Sequence, residues 1–303
     1  MNGIINVLKP PGMTSHDVVA YLRKLLGTKS IGHTGTLDPG VPGVLPVCVG
    51  TATRVAEFLT EAGKAYRAEV TFGISTDTQD GFGRVVEKKP VYATYAEAIS
   101  LIPAFTGWIK QIPPMVSAVK YGGKKLYELA REGKDVERQY RDVFIERIDP
   151  LWHDWDSEYP RITFDTTCSK GTYIRTLCAD WGERLGCGGH MSYLLRTRSG
   201  PFSLPDAWTL EDITRGVSLG DTGFLIPPDQ GVAHFPNLRV QESRIKALLN
   251  GLSLGPRDYS VEQGYLDGSE QWVRLYGPEG DFLALGLWET TGHIRPKKVF
   301  SRR

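Results

Sequence analysis

The chain has 303 residues, 41% of them hydrophobic and 23% charged, and its 36 Lys and Arg nearly balance 35 Asp and Glu. Such a composition builds a globular core in one large domain or two, and it excludes several classes. No apolar stretch approaches the roughly 18 residues that span a bilayer as a helix, and residues 1–9 lack the basic and apolar regions of a signal peptide. The four cysteines, Cys48, Cys168, Cys178 and Cys187, have no C-x-x-C spacing that would hold a metal; scattered in this way, they point to a reduced, cytoplasmic chain.

A net charge of +1 does not by itself mark a nucleic-acid binder, since clustering of Lys and Arg matters more than their total. Five of the last nine residues are basic and none is acidic. Residues 120–147 hold eight basic and six acidic residues, which reads as a solvated mixed-charge surface.

In chain order, the first predicted strand covers 3–8 and ends at Lys9-Pro10-Pro11-Gly12, which must turn. Ser15 is the predicted cap of a helix whose Val18, Val19, Leu22, Leu25 and Leu26 recur at helical spacing before Gly27 stops it. Residues 31–50 form a long segment punctuated by Gly and Pro, and a short helix is predicted over 51–59, closed by Gly63. In the next strand Tyr66, Ala68, Val70, Phe72 and Ile74 fall on one face, with Arg67, Glu69 and Thr71 on the other. Thr94-x-x-Glu97 is a capping box for a helix to about 102. An exposed helix is predicted at 124–132, followed by strands at 142–149 and 161–168. A helix over 171–185 buries Ile174, Leu177, Trp181 and Leu185, and a strand follows near 190–198. Residues 221–236 read as a link. Beyond it, 237–303 alternate short strands and turns with one helix near 241–250, the pattern of a small β-rich second domain.

The sharpest feature is Gly32-His33-Thr34-Gly35-Thr36-Leu37-Asp38-Pro39. On physical grounds alone Asp-Pro-Gly is a turn, and the glycines match neither a P-loop nor a dinucleotide fingerprint. Tyr66 alone fits a core tyrosine as well as a pocket wall. Arg175 follows Ile174 and precedes Leu177, so it need not share their buried stripe and reads as a surface arginine.

The segment GHTGTLDP, followed by GVLPVCVGTATR, resembles the signature of the TruB family of pseudouridine synthases. Three further blocks agree in order: KPPGMTSHDVV from Lys9, KAYRAEVTFGISTDTQDGFG from Lys64, and CSKGTYIRTLCADWGERLGCGGHMSYLLRTRSGPF from Cys168. The stretch from Pro113 to Gly133 resembles the family's RNA-gripping thumb. Val41 and Pro42 stand where smaller or hydroxyl residues are common in the family.

The resemblance implies an α+β fold with a mixed, mainly antiparallel central sheet and flanking helices, then a small PUA-like domain. The expected divisions are 1–232 for catalysis, with a thumb at about 113–140, and 237–303 for RNA binding. It implies a monomeric isomerase of uridine 55 in the T loop of tRNA, acting without guide RNA or cofactor. Carried over by motif, Asp38 is the nucleophile and Tyr66 stacks on the uracil and moves its proton. Arg175 pairs with Asp38, and Asp80 with Arg175. Leu194 and Tyr173 wall the base pocket, His33 fills the space left in the RNA loop, and Lys9 and Pro10 buttress the site.

Chemistry fits these roles. Exchanging the N1–C1′ bond for C5–C1′ needs no redox partner, but it does need a carboxylate that attacks and later leaves. An aspartate is anionic at neutral pH, and a neighbouring Arg opposes the rise in its pKa that burial causes. Two other readings stand beside this one: a non-catalytic RNA-binding protein on the same fold, and a two-carboxylate hydrolase using Asp38 and Asp80.

Overall fold

Strand β1 (Gly3–Lys9) is apolar along nearly its whole length and buried on both faces. The structure, a computed structural model, describes residues 1–117, 119–134 and 136–300. Helix α1 (Ser15–Leu26) is capped by Thr14, whose hydroxyl accepts from the Asp17 amide while the Asp17 carboxylate accepts from Thr14 N. The predicted cap, Ser15, is therefore the first helical residue, and its hydroxyl is engaged elsewhere, accepting from Leu37 N at 2.8 Å. Gly27 ends the helix in the left-handed region as predicted. Next come β2 (Ile31–His33) and β3 (Gly43–Val49), antiparallel to each other, with β1 antiparallel along the whole length of β3. The helix predicted over 51–59 is a 3₁₀ turn, Gly50–Val55, leading into α2 (Ala56–Glu61).

Strand β4 (Lys64–Phe72) stops two residues short of Ile74, because Gly73 turns the chain at φ 83°. Ile74 instead opens a small hairpin, β5 (Ile74–Thr76) and β6 (Val85–Lys88). Helix α3 (Tyr95–Ser100) carries the predicted capping box, and β7 (Gly107–Gln111) follows. In the segment predicted as an exposed helix at 124–132, Lys124 and Lys125 instead form β9 (Lys124–Lys125), paired with β8 (Lys120–Tyr121). Only Leu126–Arg131 is helical (α4), and Leu126 and Leu129 are buried.

Strands β10 (Arg141–Asp154) and β11 (Arg161–Cys168) precede α5 (Ile174–Arg184). This helix begins three residues later than predicted, after a turn with Gly171 at φ 78°. After β12 (Gly189–Ser199) come β13 (Phe202–Ser203) and α6 (Leu210–Leu219). The span 221–236, read as a link, is part of the core: Phe224 and Val232 are fully buried, and Ile226 bridges Ile4. Their apolar side chains gain more from burial than a free linker would.

The central sheet has nine strands, in the order β1-β3-β12-β4-β11-β10-β7 with β2 and β13 at the side. Every pairing is antiparallel except β12 on β3. At that parallel contact Gly43 faces Arg196, and a Cβ on Gly43 would lie 2.3 Å from the Arg196 carbonyl oxygen. Helix α5 packs on the sheet through Trp181, which is ringed by Phe72, Phe105 and Phe164 at 5.6–6.2 Å and donates its indole N–H to Ala98 O. The helix lies close because Gly182 has no side chain: a Cβ there would lie 2.2 Å from the Gly188 backbone.

A second sheet of five strands forms from β14 (Asn237–Val240), β15 (Tyr259–Gln263), β16 (Gln271–Tyr276), β17 (Phe282–Trp288) and β18 (Ile294–Val299). Helix α7 (Glu242–Leu249) lies after β14. Phe58 of α2 packs edge-on against Phe235 and Trp272, which joins this sheet to the central one. Among the described residues no helix is long and apolar enough to cross a membrane.

Candidate active site

The loop between β2 and β3 carries Asp38, and its backbone is held at almost every residue. Thr34 N and Oγ1 both donate to Pro46 O. Leu37 N donates to Ser15 Oγ. Pro39 O accepts from Gly12 N and from the buried Lys9 Nζ, at 2.9 and 3.1 Å. Lys9 also donates to Pro10 O and Met13 O, so this ammonium ties the turn after β1 to the residue following Asp38. Its burial pushes its pKa down to about 8, against the pull of Asp38.

Arg196, on β12, holds the other side of the loop. Its guanidinium is 1% exposed and donates to Val44 O, Thr36 O and Gly35 O at 2.7, 3.4 and 3.2 Å. Tyr66 sits opposite Arg196 on β4 and interacts with that guanidinium. Burial pushes the Tyr66 phenol up, while Arg196 pulls it down. The sequence reading missed Arg196. An arginine at an inward position of an apolar strand is the signal that would have found it, since a buried guanidinium must be saturated by acceptors.

Arg175, one residue into α5, reaches the same place from the other side. It is 4% exposed, not the surface residue its position beside Ile174 suggests. Nη2 lies 3.1 Å from Asp38 Oδ2 and Nη1 3.6 Å from Asp80 Oδ2. The remaining donors go to Thr78 O and Val116 O. Asp80 is oriented by its other oxygen, which accepts from Thr78 Oγ1 at 2.7 Å and Phe82 N at 3.0 Å. The turn that aims Asp80 contains Gln79 at φ 62°, a left-handed residue with a side chain; its amide oxygen accepts from Thr176 on α5.

The start of α5 is clamped by Gln111, a second residue the sequence reading missed. It is 1% exposed, accepts from Tyr173 N and donates to Tyr173 O. A buried Gln at the end of a strand has no strong signature in a single sequence.

These elements surround a cleft of ≈ 810 Å³ whose lining includes Asp38, Tyr66, Tyr173, Arg175, Leu194 and Arg196. That volume suits one nucleotide with space to spare. Val41 also lines it, while Pro42 meets β12 through its carbonyl, which accepts from Arg196 N. Four expected residues stand behind the lining. Lys9 reaches the loop through Pro39 O and meets Pro10 through its carbonyl, and Asp80 meets Arg175. His33 lies to one side, half-buried on β2, where Gly35 N points at its Nδ1 at 3.4 Å and burial lowers its pKa. The Asp38 side chain remains 43% exposed, to the cleft. Its pKa is raised by burial, and Arg175 opposes that rise. The arrangement thus opens one carboxylate to the cleft while a buried guanidinium opposes the loss of its charge. No group of three His, Cys, Asp or Glu is placed to hold a metal ion among the described residues.

Fold and site together define a pseudouridine synthase. Solved structures similar in fold include a Cbf5-Nop10-Gar1 complex, 31% identical with a TM-score of 0.74 over 99% of this chain and 85% of that one. An H/ACA RNP bound to a substrate RNA containing 2′-deoxyuridine is 29% identical, with a TM-score of 0.75 over 99% and 86%. Residues 23–174 match the TruB family pseudouridylate synthase (N terminal domain), 175–223 the tRNA pseudouridylate synthase B C-terminal domain, and 236–300 the pseudouridine synthase II TruB C-terminal region. The tRNA pseudouridine synthase B of Moorella thermoacetica is 50% identical over 98% of both chains. That of Pelotomaculum thermopropionicum is 48% identical over 92% of this chain and 89% of its own. The chain belongs to the TruB family of tRNA pseudouridine synthases, which are isomerases.

Proposed function

We propose that the chain isomerises uridine 55 in the T loop of tRNA, as a monomer without guide RNA or cofactor, in the cytoplasm, with Asp38 as nucleophile. The target base must leave the loop and enter the cleft. Asp38 attacks, the N1–C1′ bond breaks, the uracil turns, C5 joins C1′, the bond to Asp38 is released, and the proton on C5 is lost to solvent while N1 takes one up. Tyr66 stacks on the ring and takes part in moving that proton; Leu194 and Tyr173 hold the faces of the base. Arg175 keeps Asp38 ionised and Asp80 fixes Arg175. Lys9 and Pro10 buttress the Asp38 loop, and His33 fills the space the flipped base leaves in the RNA. Residues 1–232 carry the chemistry, the thumb at 113–140 closes on the RNA, and 237–303 grip it.

One observation carries this reading: the buried Arg175 is shared between an open carboxylate, Asp38, and a fixed one, Asp80. A turn aspartate in a purely RNA-binding protein has no use for a buried guanidinium. Independent action is supported by the near full-length similarity to curated relatives named as tRNA pseudouridine synthase B.

The test is release of tritium from C5-labelled uridine in a T-arm stem-loop with no other RNA added. We expect release by the wild type and none by Asp38→Asn, with the variant's RNA affinity retained. Release by Asp38→Asn at near the wild-type rate would refute the nucleophile. A wild type that acts only once a guide RNA is supplied would refute independent action.

A further inference from the structure

Ser117 stands out once the bonds around the cleft are counted. Its hydroxyl is buried, with the residue 6% exposed, and it has no hydrogen-bond partner among the described residues. It also lines the cleft. Of the other buried side-chain atoms without a hydrogen bond among the described residues, those of Asn6, Arg138, Ser199, Asn237 and Arg244 (the last ion-paired with Asp258), none belongs to a residue of the cleft wall.

Its position is held from both sides. The carbonyl of the preceding residue, Val116, accepts from Arg175 Nη2, the same nitrogen that meets Asp38. The carbonyl of Ser117 itself accepts from Tyr127 N at the first turn of α4. The backbone is thus tied on one side to the catalytic ion pair and on the other to the thumb.

A hydroxyl buried without a partner costs stability, and native structures seldom leave one in place without a reason. The reason is supplied by what enters the cleft. The geometry points to Ser117 Oγ as a hydrogen-bonding contact to the flipped nucleotide of the RNA substrate, a positioning group that the thumb brings to the reacting uridine. This rests on the isomerase reading above. A serine hydroxyl both donates and accepts, so it matches either the polar edge of the uracil or a ribose hydroxyl. The contact exists only with RNA bound, so its energy appears in recognition and not in the stability of the free protein.

That separation makes the inference testable. Ser117→Ala is compared with wild type, and with Ser199→Ala as a control, by tritium release from the C5-labelled T-arm stem-loop and by thermal melting without RNA. Release by the wild type first establishes the reaction itself. For Ser117→Ala we expect kcat/KM to fall about 10-fold, as for one lost hydrogen bond, with Tm unchanged or higher. Ser199→Ala should leave kcat/KM unchanged. A kcat/KM within twofold of wild type for Ser117→Ala would overturn the inference. So would a loss accompanied by a lowered Tm or by failure to fold, because the hydroxyl would then serve the fold. Affinities for stem-loops with uridine or 2′-deoxyuridine at the target identify the acceptor. An equal penalty for Ser117→Ala on both assigns the contact to the base, and a penalty confined to uridine assigns it to the ribose 2′-hydroxyl.

Discussion

The two walls of the cleft hold their cations in opposite ways. On the α5 side, Arg175 faces two carboxylates, Asp38 and Asp80, and its charge is neutralised locally. On the β12 side, Arg196 donates to the carbonyls of Gly35, Thr36 and Val44 and meets the Tyr66 phenol, and Lys9 likewise donates to three carbonyls with Asp38 pulling on its charge. Carbonyl dipoles satisfy donors without cancelling charge. One wall therefore acts on the charge of Asp38, while the other chiefly fixes a backbone. A net charge of only +1 does not reveal where these buried cations sit, because placement matters more than the total.

The comparison breaks most sharply at Arg175. Arg175→Ala removes the charge partner of Asp38, and we expect single-turnover tritium release to fall at least about 100-fold, in the range for loss of a preorganised electrostatic group. A rate within a factor of five of wild type would show that the two walls do not differ in this way. Next in size is Arg196. Replacing it with Met leaves one buried acceptor, Val44 O, and two partly buried ones, Gly35 O and Thr36 O, without this donor; the buried one alone costs about 1–3 kcal/mol, so Tm should drop by roughly 2–12 °C. Arg196→Lys should recover part of that loss. An unchanged melting point for Arg196→Met would mean that the Asp38 loop needs no such anchor.

The smallest effect is one of pH. The proposed role of Asp38 requires its ionised form, and its carboxyl is raised above its usual value by burial. The rate should therefore fall as pH drops through a midpoint above the ordinary aspartate range. Arg175 works to lower that pKa, so residual activity in Arg175→Ala should show its acid limb displaced to higher pH. A limb that stays in place would show that Arg175 does not govern the ionisation of Asp38.

The two walls also differed in how far they could be read from the sequence. Asp38, Tyr66 and Arg175 lie in motif blocks whose order identifies the family, and the alternation in β4 correctly put Tyr66 on the inner face. The helices were legible where caps spoke clearly, as at Thr94 and Glu97. What escaped were residues whose role depends on partners distant in the chain. Arg196 meets a loop some 160 positions away, Gln111 meets Tyr173 across 62, and Ser15, a plausible cap, was taken up by Leu37 across 22. The span 221–236 looked like a link because Gly and Pro mark turns, yet its apolar residues pack into the core. Local rules report local bonds, and tertiary capture of a side chain leaves no mark in its neighbours.

The bond between Arg196 and the Asp38 loop also has a temporal consequence. Protein synthesis adds about 5–20 residues per second, so a gap of 160 positions separates the loop from its anchor by roughly ten to thirty seconds. Contacts of such long range form late in folding. A ribosome-bound chain that already displays Asp38 still lacks the strand that holds its loop, and the site is complete only when most of the catalytic sheet has been made.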